Sequence, residues 1–377
     1  MKRWSGFAAL LMTLVLTVGM AASCSSTPAV KNTAELESAI QKCMKTMNCP
    51  GVVFAVTAPG KSDVIITRGV DDLQTKSKIS TADDFRIGSI TKTFTAIVTL
   101  QLAAEGKLSL DDPLSKYEPR VPNAANITVR MLLAHTSGLF SYTEDEGFQK
   151  TIETDPLRPW TPDELINIGI SHPPYFPPGK GFAYDNTAYI LAGKIIEKVT
   201  GNSFTAEVKK RVIDKLGLKN TVMPSGVDMP GKYSHGYTYD LGGGRLQDIT
   251  RQQTPTWGWS AGGLVSDLAD LQVFAKAVAD GTLITPAMRN EFFTSTPMPT
   301  KPGTPPTTFA GLGVGFLSGW VGNTGGTYGY TTWMWYVPTK KTTVIAFFNE
   351  TSTFTPQYEE VEQKALQQLL LTTMKLI

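Results

Sequence analysis

Apolar residues recur along this chain in two rhythms, and the switches between them mark out its elements. Leu36, Ile40 and Met44 stand four apart after Asn32-Thr33-Ala34-Glu35, a capping-box-like start, which predicts a helix packed by one face. Gly51–Thr57 and Val64–Arg68 are β-rich runs separated by Pro59-Gly60-Lys61-Ser62-Asp63, which predicts a hairpin. Phe94, Ile97, Val98 and Leu102 then return to helical spacing and predict a buried helix from about Ser89 to about Gly106.

From Gly106 to Pro255 helical segments alternate with loops rich in Pro and Gly. The expected helices are Thr128–His135, Thr161–Ile168, Thr187–Thr200 and Phe204–Leu216. Ser266–Ala279 is a further helix, with Ser266 as its expected cap. Strand-like runs follow at Gly311–Leu317, Thr331–Val337 and Thr342–Asn349. The terminal run from Gln357 is helical, with Val361, Ala365 and Leu369 on one face. β-rich material at both ends thus brackets a helical middle. The expected fold class is α/β (α+β): an antiparallel β-sheet flanked by N- and C-terminal helices, with an inserted all-α lobe. Its boundaries fall at 32–105 and 256–377 for the α/β lobe and 106–255 for the helical one.

Composition narrows the picture. With 377 residues, 41% of them hydrophobic, the chain can bury a large core. A net charge of +2 without a prominent basic run gives no electrostatic reason to expect a nucleic acid partner. Lys2 and Arg3, the apolar stretch Phe7 to Met20 and the small residues Ala21-Ala22-Ser23 read as a signal peptide, residues 1–23. Cys24 then stands where a bacterial lipobox places its lipidated cysteine, although Ala21 occupies a position that prefers Leu. The expectation is a lipid-anchored protein on the outer face of the membrane; the alternative is free secretion. Cys43 and Cys49 are expected to pair in a short-loop disulfide, with two buried free thiols as the other reading. Three scattered histidines and few cysteines leave no zinc-type cluster, and neither a metal nor a cofactor is expected.

The chemistry concentrates at Ser89-Ile90-Thr91-Lys92. Residues three apart share a helical face, so Lys92 can reach back to the Ser89 hydroxyl and serve a nucleophile as its base. The Ser89 N–H, in the first turn, is free to donate to an anion. The competing reading is an N-cap serine followed by a solvated lysine. Tyr184-Asp185-Asn186 supplies a phenol able to relay or accept the serine proton and an amide able to bind Lys92 or an acyl-amide; the plain alternative is a turn with an Asn cap. Asn323-Thr324-Gly325-Gly326 opens a run that reads either as a turn or as a glycine-lined strand beside Ser89. In the second case the Gly326 N–H is a second oxyanion donor.

S-x-x-K, Y-x-N and a third motif ending in T-G, in this order, make the chain resemble the penicillin-recognising serine hydrolases, of β-lactamase/transpeptidase-like fold. It looks like the class C β-lactamase group, and most like the secreted D-alanyl-D-alanine carboxypeptidases in it. Shared stretches include Phe85–Lys92, Leu132–Leu139, Tyr184–Asn186, Ser260–Ser266 and Gly322–Tyr330. The resemblance implies Ser89 as nucleophile and Lys92 and Tyr184 as proton carriers. It also implies Asn186, Asn323, Thr324 and Gly325 as substrate-binding positions, and an oxyanion hole from the N–H groups of Ser89 and Gly326. Small molecules, peptidoglycan peptides and β-lactams are the implied ligands. Which of Lys92 and Tyr184 is the base stays open.

Two departures bear on substrate. Asn323 stands where the family has Lys or His, and Gly311–Leu317 lacks the arginine with which related carboxypeptidases hold a terminal carboxylate. Such charge-assisted bonds contribute roughly 1.5–3 kcal/mol each. Their loss weakens the reading as a carboxypeptidase or an efficient β-lactamase and leaves esterase or amidase activity on less anionic substrates untouched. Gly258-Trp259-Ser260-Ala261-Gly262 also fits the nucleophile elbow of α/β hydrolases, but His135, His172 and His235 all precede Ser260, against the order that elbow requires. Two functions follow: an exported serine acyl-transfer hydrolase, or a non-catalytic penicillin- or peptidoglycan-binding protein that kept the fold.

Overall fold

The centre of the molecule is an eight-stranded antiparallel sheet built from both ends of the chain. Its strands run, in spatial order, Val64–Gly69, Gly51–Thr57, Thr342–Phe348, Tyr330–Val337, Trp320–Thr327, Gly315–Leu317, Thr308–Ala310 and Thr296–Pro297. The computed structural model describes residues 27–239, 245–294, 296–297, 308–351 and 356–377. The expected signal peptide and Cys24 lie outside the described residues.

The period-two alternation of a strand shows directly in where its side chains go. Val52, Phe54 and Val56 join one core, with Val344, Ala346 and Phe348 of the neighbouring strand. Val53, Ala55, Ile345 and Phe347 join the other. The first core is closed by the helices Thr33–Met47 and Pro356–Leu376, which contact each other. Leu36, Ile40, Cys43 and Met47 face it from one helix, Ala365, Leu369 and Leu370 from the other. Val361, expected on that face, is exposed: the buried face runs through Glu362, Ala365 and Leu369 instead.

The opposite face carries the helix Thr91–Ala104, buried on every side from Thr91 to Leu102. An all-round apolar helix needs cover on all sides, and it has it. The helix Asn186–Thr200 and the short helix Trp259–Gly262 pack against it. Thr93 and Thr95 satisfy their hydroxyls on carbonyls, of Gly313 at 2.7 Å and of Ser260 at 2.7 Å. From Leu114 to Trp257 the described elements are helical except for the small strand pair Tyr237–Tyr239 and Leu246–Asp248, an addition to the all-α stretch read from the sequence.

Other expectations change. Ser266 sits in a two-residue strand, and Asp267 caps the following helix Leu268–Asp280 through its carboxylate. Of Gly311–Leu317 only Gly315–Leu317 is strand, because Gly313 takes φ +85° in a turn against Ala96. The expected Cys43–Cys49 disulfide is absent. Both are buried free thiols, Cys43 donating to Met47 Sδ and Cys49 to the Gly51 carbonyl at 3.1 Å. Asn48, in the left-handed region at φ 53°, ends the helix between them and turns Cys49 toward the sheet. Among the described residues no helix is long and apolar enough to cross a membrane, and no group of His, Cys, Asp and Glu could hold a metal ion.

Candidate active site

Ser89 lies in the single 3-10 turn Gly88–Ile90 that leads into the buried helix, so the backbone delivers its side chain to a surface cleft. Gly88 holds φ +48°, and a Cβ there would meet the Gly326 carbonyl oxygen at 2.7 Å. Gly325 is tighter: a Cβ would stand 1.9 Å from the Ile87 oxygen and 3.2 Å from the Ser89 nitrogen. These two glycines let the strand Trp320–Thr327 lie against the serine turn. The neighbouring strand pairs only with Trp320, Val321 and Gly322, so the edge from Asn323 onward is left facing Ser89.

One turn into the helix, the Lys92 side chain runs back to Ser89 as the three-residue spacing predicts. Its Nζ has three acceptors: Ser89 Oγ at 3.0 Å, Asn186 Oδ1 at 2.8 Å and the Ala261 carbonyl at 2.7 Å. An ammonium has three N–H donors, so these partners saturate it. A neutral amine keeps two donors, which can stay on Asn186 and Ala261, and gains a lone pair directed at Ser89 Oγ. Lys92 is 1% exposed, and burial pulls its pKa down from 10.5 to about 7, with Asp185 acting in the opposite sense.

Tyr184 donates to Ser89 Oγ at 2.6 Å. Much of its ring is exposed, but its hydroxyl faces inward, and burial there raises its pKa above the usual phenol value; the Ser89 bond opposes this and Asp185 adds to it. At neutral pH Tyr184 is therefore a proton donor, and Lys92 is the member of the pair that titrates. The Lys92 nitrogen also lies 4.8 Å from the centre of the Tyr184 ring, a contact that favours the cation.

Asn186 is the first residue of its helix rather than its cap. Asp185 caps, accepting from Ala188 N at 2.8 Å and from Ser137 Oγ at 3.0 Å. Asn186 Nδ2 donates to Thr143 at 3.0 Å, which fixes the amide with its oxygen toward Lys92. Asp185 is buried, which raises its carboxyl to about 7 against the hydrogen bonds and Lys92, which lower it. His135 is buried, and desolvation, then Lys92, holds its pKa down at about 3. Its Nδ1 accepts from the Asp185 N–H at 3.2 Å and its ring lies 4.6 Å from that of Tyr184, a supporting role. His172 pairs with Asp145 and His235 with Asp248, both outside the cluster. Asn323 Nδ2 reaches the Ser89 carbonyl at 3.4 Å, and Thr324 N donates to its own neighbour, Asn323 Oδ1. Ser260, the elbow-like serine, is fully buried and donates to the Tyr189 carbonyl at 2.9 Å.

The structure thus brings Ser89, Lys92, Tyr184, Asn186 and the Asn323–Gly326 strand together. Sequence reasoning missed the Ala261 carbonyl, Thr143, Asp185 and Ser137. The Asp185 role had a signal, since Asp is a preferred cap before a helix; the Ala261 carbonyl had none.

A buried lysine, a serine and a tyrosine meeting between such a sheet and a helical layer define a serine β-lactamase and penicillin-binding-protein type of site. The chain matches the Beta-lactamase family over residues 36–368 and belongs to it. It is 30% identical over 184 residues to Penicillin-binding protein 4* of Bacillus subtilis, covering 46% of this chain and 38% of that one. It is 27% identical over 239 residues to a beta-lactamase of Providencia stuartii, covering 63% and 57%. The matches span less than half the length of the first curated relatives. Among solved structures, a D-stereospecific amidohydrolase from Streptomyces sp. superposes with a TM-score of 0.76 at 32% identity, over 87% of this chain and 98% of that one. The D-amino acid amidase of Ochrobactrum anthropi SV3 gives 0.75 at 25%, over 91% and 99%.

Proposed function

We propose that the protein is an exported serine hydrolase that transfers an acyl group from an ester or amide to Ser89 and then to water. The observation that carries this is the pair of bonds converging on Ser89 Oγ, from Lys92 at 3.0 Å and from Tyr184 at 2.6 Å. Neutral Lys92 takes the Ser89 proton as Oγ adds to the carbonyl carbon. Tyr184 protonates the departing oxygen or nitrogen and recovers its proton from Lys92. The N–H groups of Ser89 and Gly326 receive the oxyanion; such paired donors contribute on the order of several kcal/mol to the transition state. General acid–base transfer of this kind contributes about 100- to 10,000-fold.

Esters and amides without a carboxylate beside the scissile bond fit better than D-alanyl peptides. Asn323 brings no charge, and Gly315, aligned with Gly322 on the next strand, brings no cation either. The amidohydrolase and amidase similarities agree with this preference. Export rests on the N-terminal sequence, with Cys24 as the lipid attachment point.

Intact-mass spectrometry after mixing with p-nitrophenyl butyrate, D-alanyl-D-alanine peptides and penicillins is the direct test. An adduct equal to the acyl group, mapped to the Ser89 peptide, is the expected result. Turnover without any adduct on rapid quench, or an adduct elsewhere, refutes the assignment. A second expectation concerns the missing anchor. Asn323→Lys should raise kcat/KM on substrates with a free carboxylate about tenfold, the effect of about 1.4 kcal/mol of added ion pairing. An unchanged ratio between carboxylate and neutral substrates would show that this position does not set charge preference.

A further inference from the structure

Against Lys92 and Tyr184, the two partners of Ser89, the structure holds a cavity of about 210 Å³ that the chemistry above leaves without an occupant. Phe182, Tyr184, Tyr189, Phe316, Trp335 and Gly315 are among its walls. Its charge inventory is short. Lys92 is the one cation among its lining residues, and that amine already has three acceptors. His135 also lines it, held neutral by burial. A dry cavity of about 150 Å³ lined by apolar side chains takes a benzene molecule, so this one has room for an aromatic ring.

The position of the cavity relative to the reacting atoms decides what it can hold. Lys92 and Tyr184 line it, whereas Asn186 and Gly326 do not. In acylation the leaving atom takes its proton from an acid on its own side, and Tyr184 is that acid. The cavity is therefore on the side from which the alcohol or amine departs. It also borders Asn323 and Gly315, where a carboxylate-binding enzyme of this type needs cations.

We infer that this cavity is a leaving-group pocket for an uncharged apolar alcohol or amine, of the size of a benzyl or aryl group. The inference rests on the acyl-serine reading above. In the step it serves, Ser89 Oγ bonds to the carbonyl carbon while the bond from that carbon to the ester oxygen breaks. The pair stays on that oxygen, Tyr184 gives it a proton, and the aromatic alcohol is released from the pocket.

Methyl acetate, benzyl acetate and 4-carboxybenzyl acetate share one acyl group, and their alcohols are close in acidity. All three lead to the same acetyl-Ser89, so kcat/KM isolates the leaving-group effect. Benzyl acetate should exceed both others at least tenfold, and benzyl alcohol should inhibit competitively. A Cβ on Gly315 meets only the Gly322 oxygen, at 3.5 Å, so a side chain there enters open space. Gly315→Leu should bring the benzyl-to-methyl ratio down to within about threefold of one. If that variant fails to fold, the benzyl alcohol inhibition in the native protein still decides. Equal kcat/KM for the methyl and benzyl esters, with acetyl-Ser89 formed from both, overturns the pocket alone. Absence of acetyl-Ser89 from every ester takes down the acyl-serine reading and the pocket with it.

Discussion

Ser89→Ala should lower ester hydrolysis by about 1,000-fold or more and abolish the acyl adduct. The substitution removes the one atom on which Lys92 and Tyr184 converge, yet it disturbs little else. Ser89 is only partly buried, in a short turn whose glycine contacts with the strand are made by Gly88 and Gly325. Lys92 retains Asn186 and Ala261 as acceptors. The melting temperature should therefore move by no more than a few degrees. Comparing p-nitrophenyl butyrate turnover in wild type and variant, beside their thermal melts, tests both halves. Undiminished turnover in a folded variant would remove Ser89 from the mechanism.

The second large effect is expected at Lys92. Lys92→Met keeps the unbranched stem up to the ε position and removes the base, and should cost about 100- to 10,000-fold in acylation. The pH profile gives a signature that a merely structural lysine lacks. With the amine near 7 in the folded protein, acylation by wild type should rise with pH through about 7 and then level off. Stability should follow the same group. Between about 7 and 10.5 the unfolded chain carries the lysine proton and the folded chain does not. Unfolding free energy then increases with pH across that window, and this increment should vanish in Lys92→Met. Denaturant melts at pH 7 and pH 9.5 measure it. Equal slopes in the two proteins would mean that Lys92 stays protonated when buried.

Much of this was legible in the chain because it depends on spacing. The three-residue step from Ser89 to Lys92 fixes a helical face wherever the helix goes, and the alternation in Gly51–Thr57 fixes which side chains reach each core. What escaped was set by contacts distant in sequence. The Ala261 carbonyl meets Lys92 across 169 positions, and a backbone acceptor leaves no trace in residue type. Asp267 displaced Ser266 as a cap because Ser266 pairs with Phe85. Val361 kept a helical spacing, but the buried face of the terminal helix passes through its neighbour Glu362, which accepts from Thr331 at 3.0 Å. The two thiols fitted a bridge by proximity alone; the left-handed Asn48 between them sends one toward Met47 and the other toward Gly51. The leaving-group cavity was invisible for a related reason: its walls come from six separate stretches, and the glycines that open it are absences of side chains.

The contact of Gly325 with the Ile87 carbonyl carries a last consequence. The strand that walls the catalytic cleft is an interior member of the main sheet, paired with Tyr330–Tyr336 from Val321 to Thr327. Scaffold and cradle share one seam. Loss of hydrolysis on heating should then coincide with the cooperative melt instead of preceding it, and variants selected for heat tolerance should gain usable working range degree for degree.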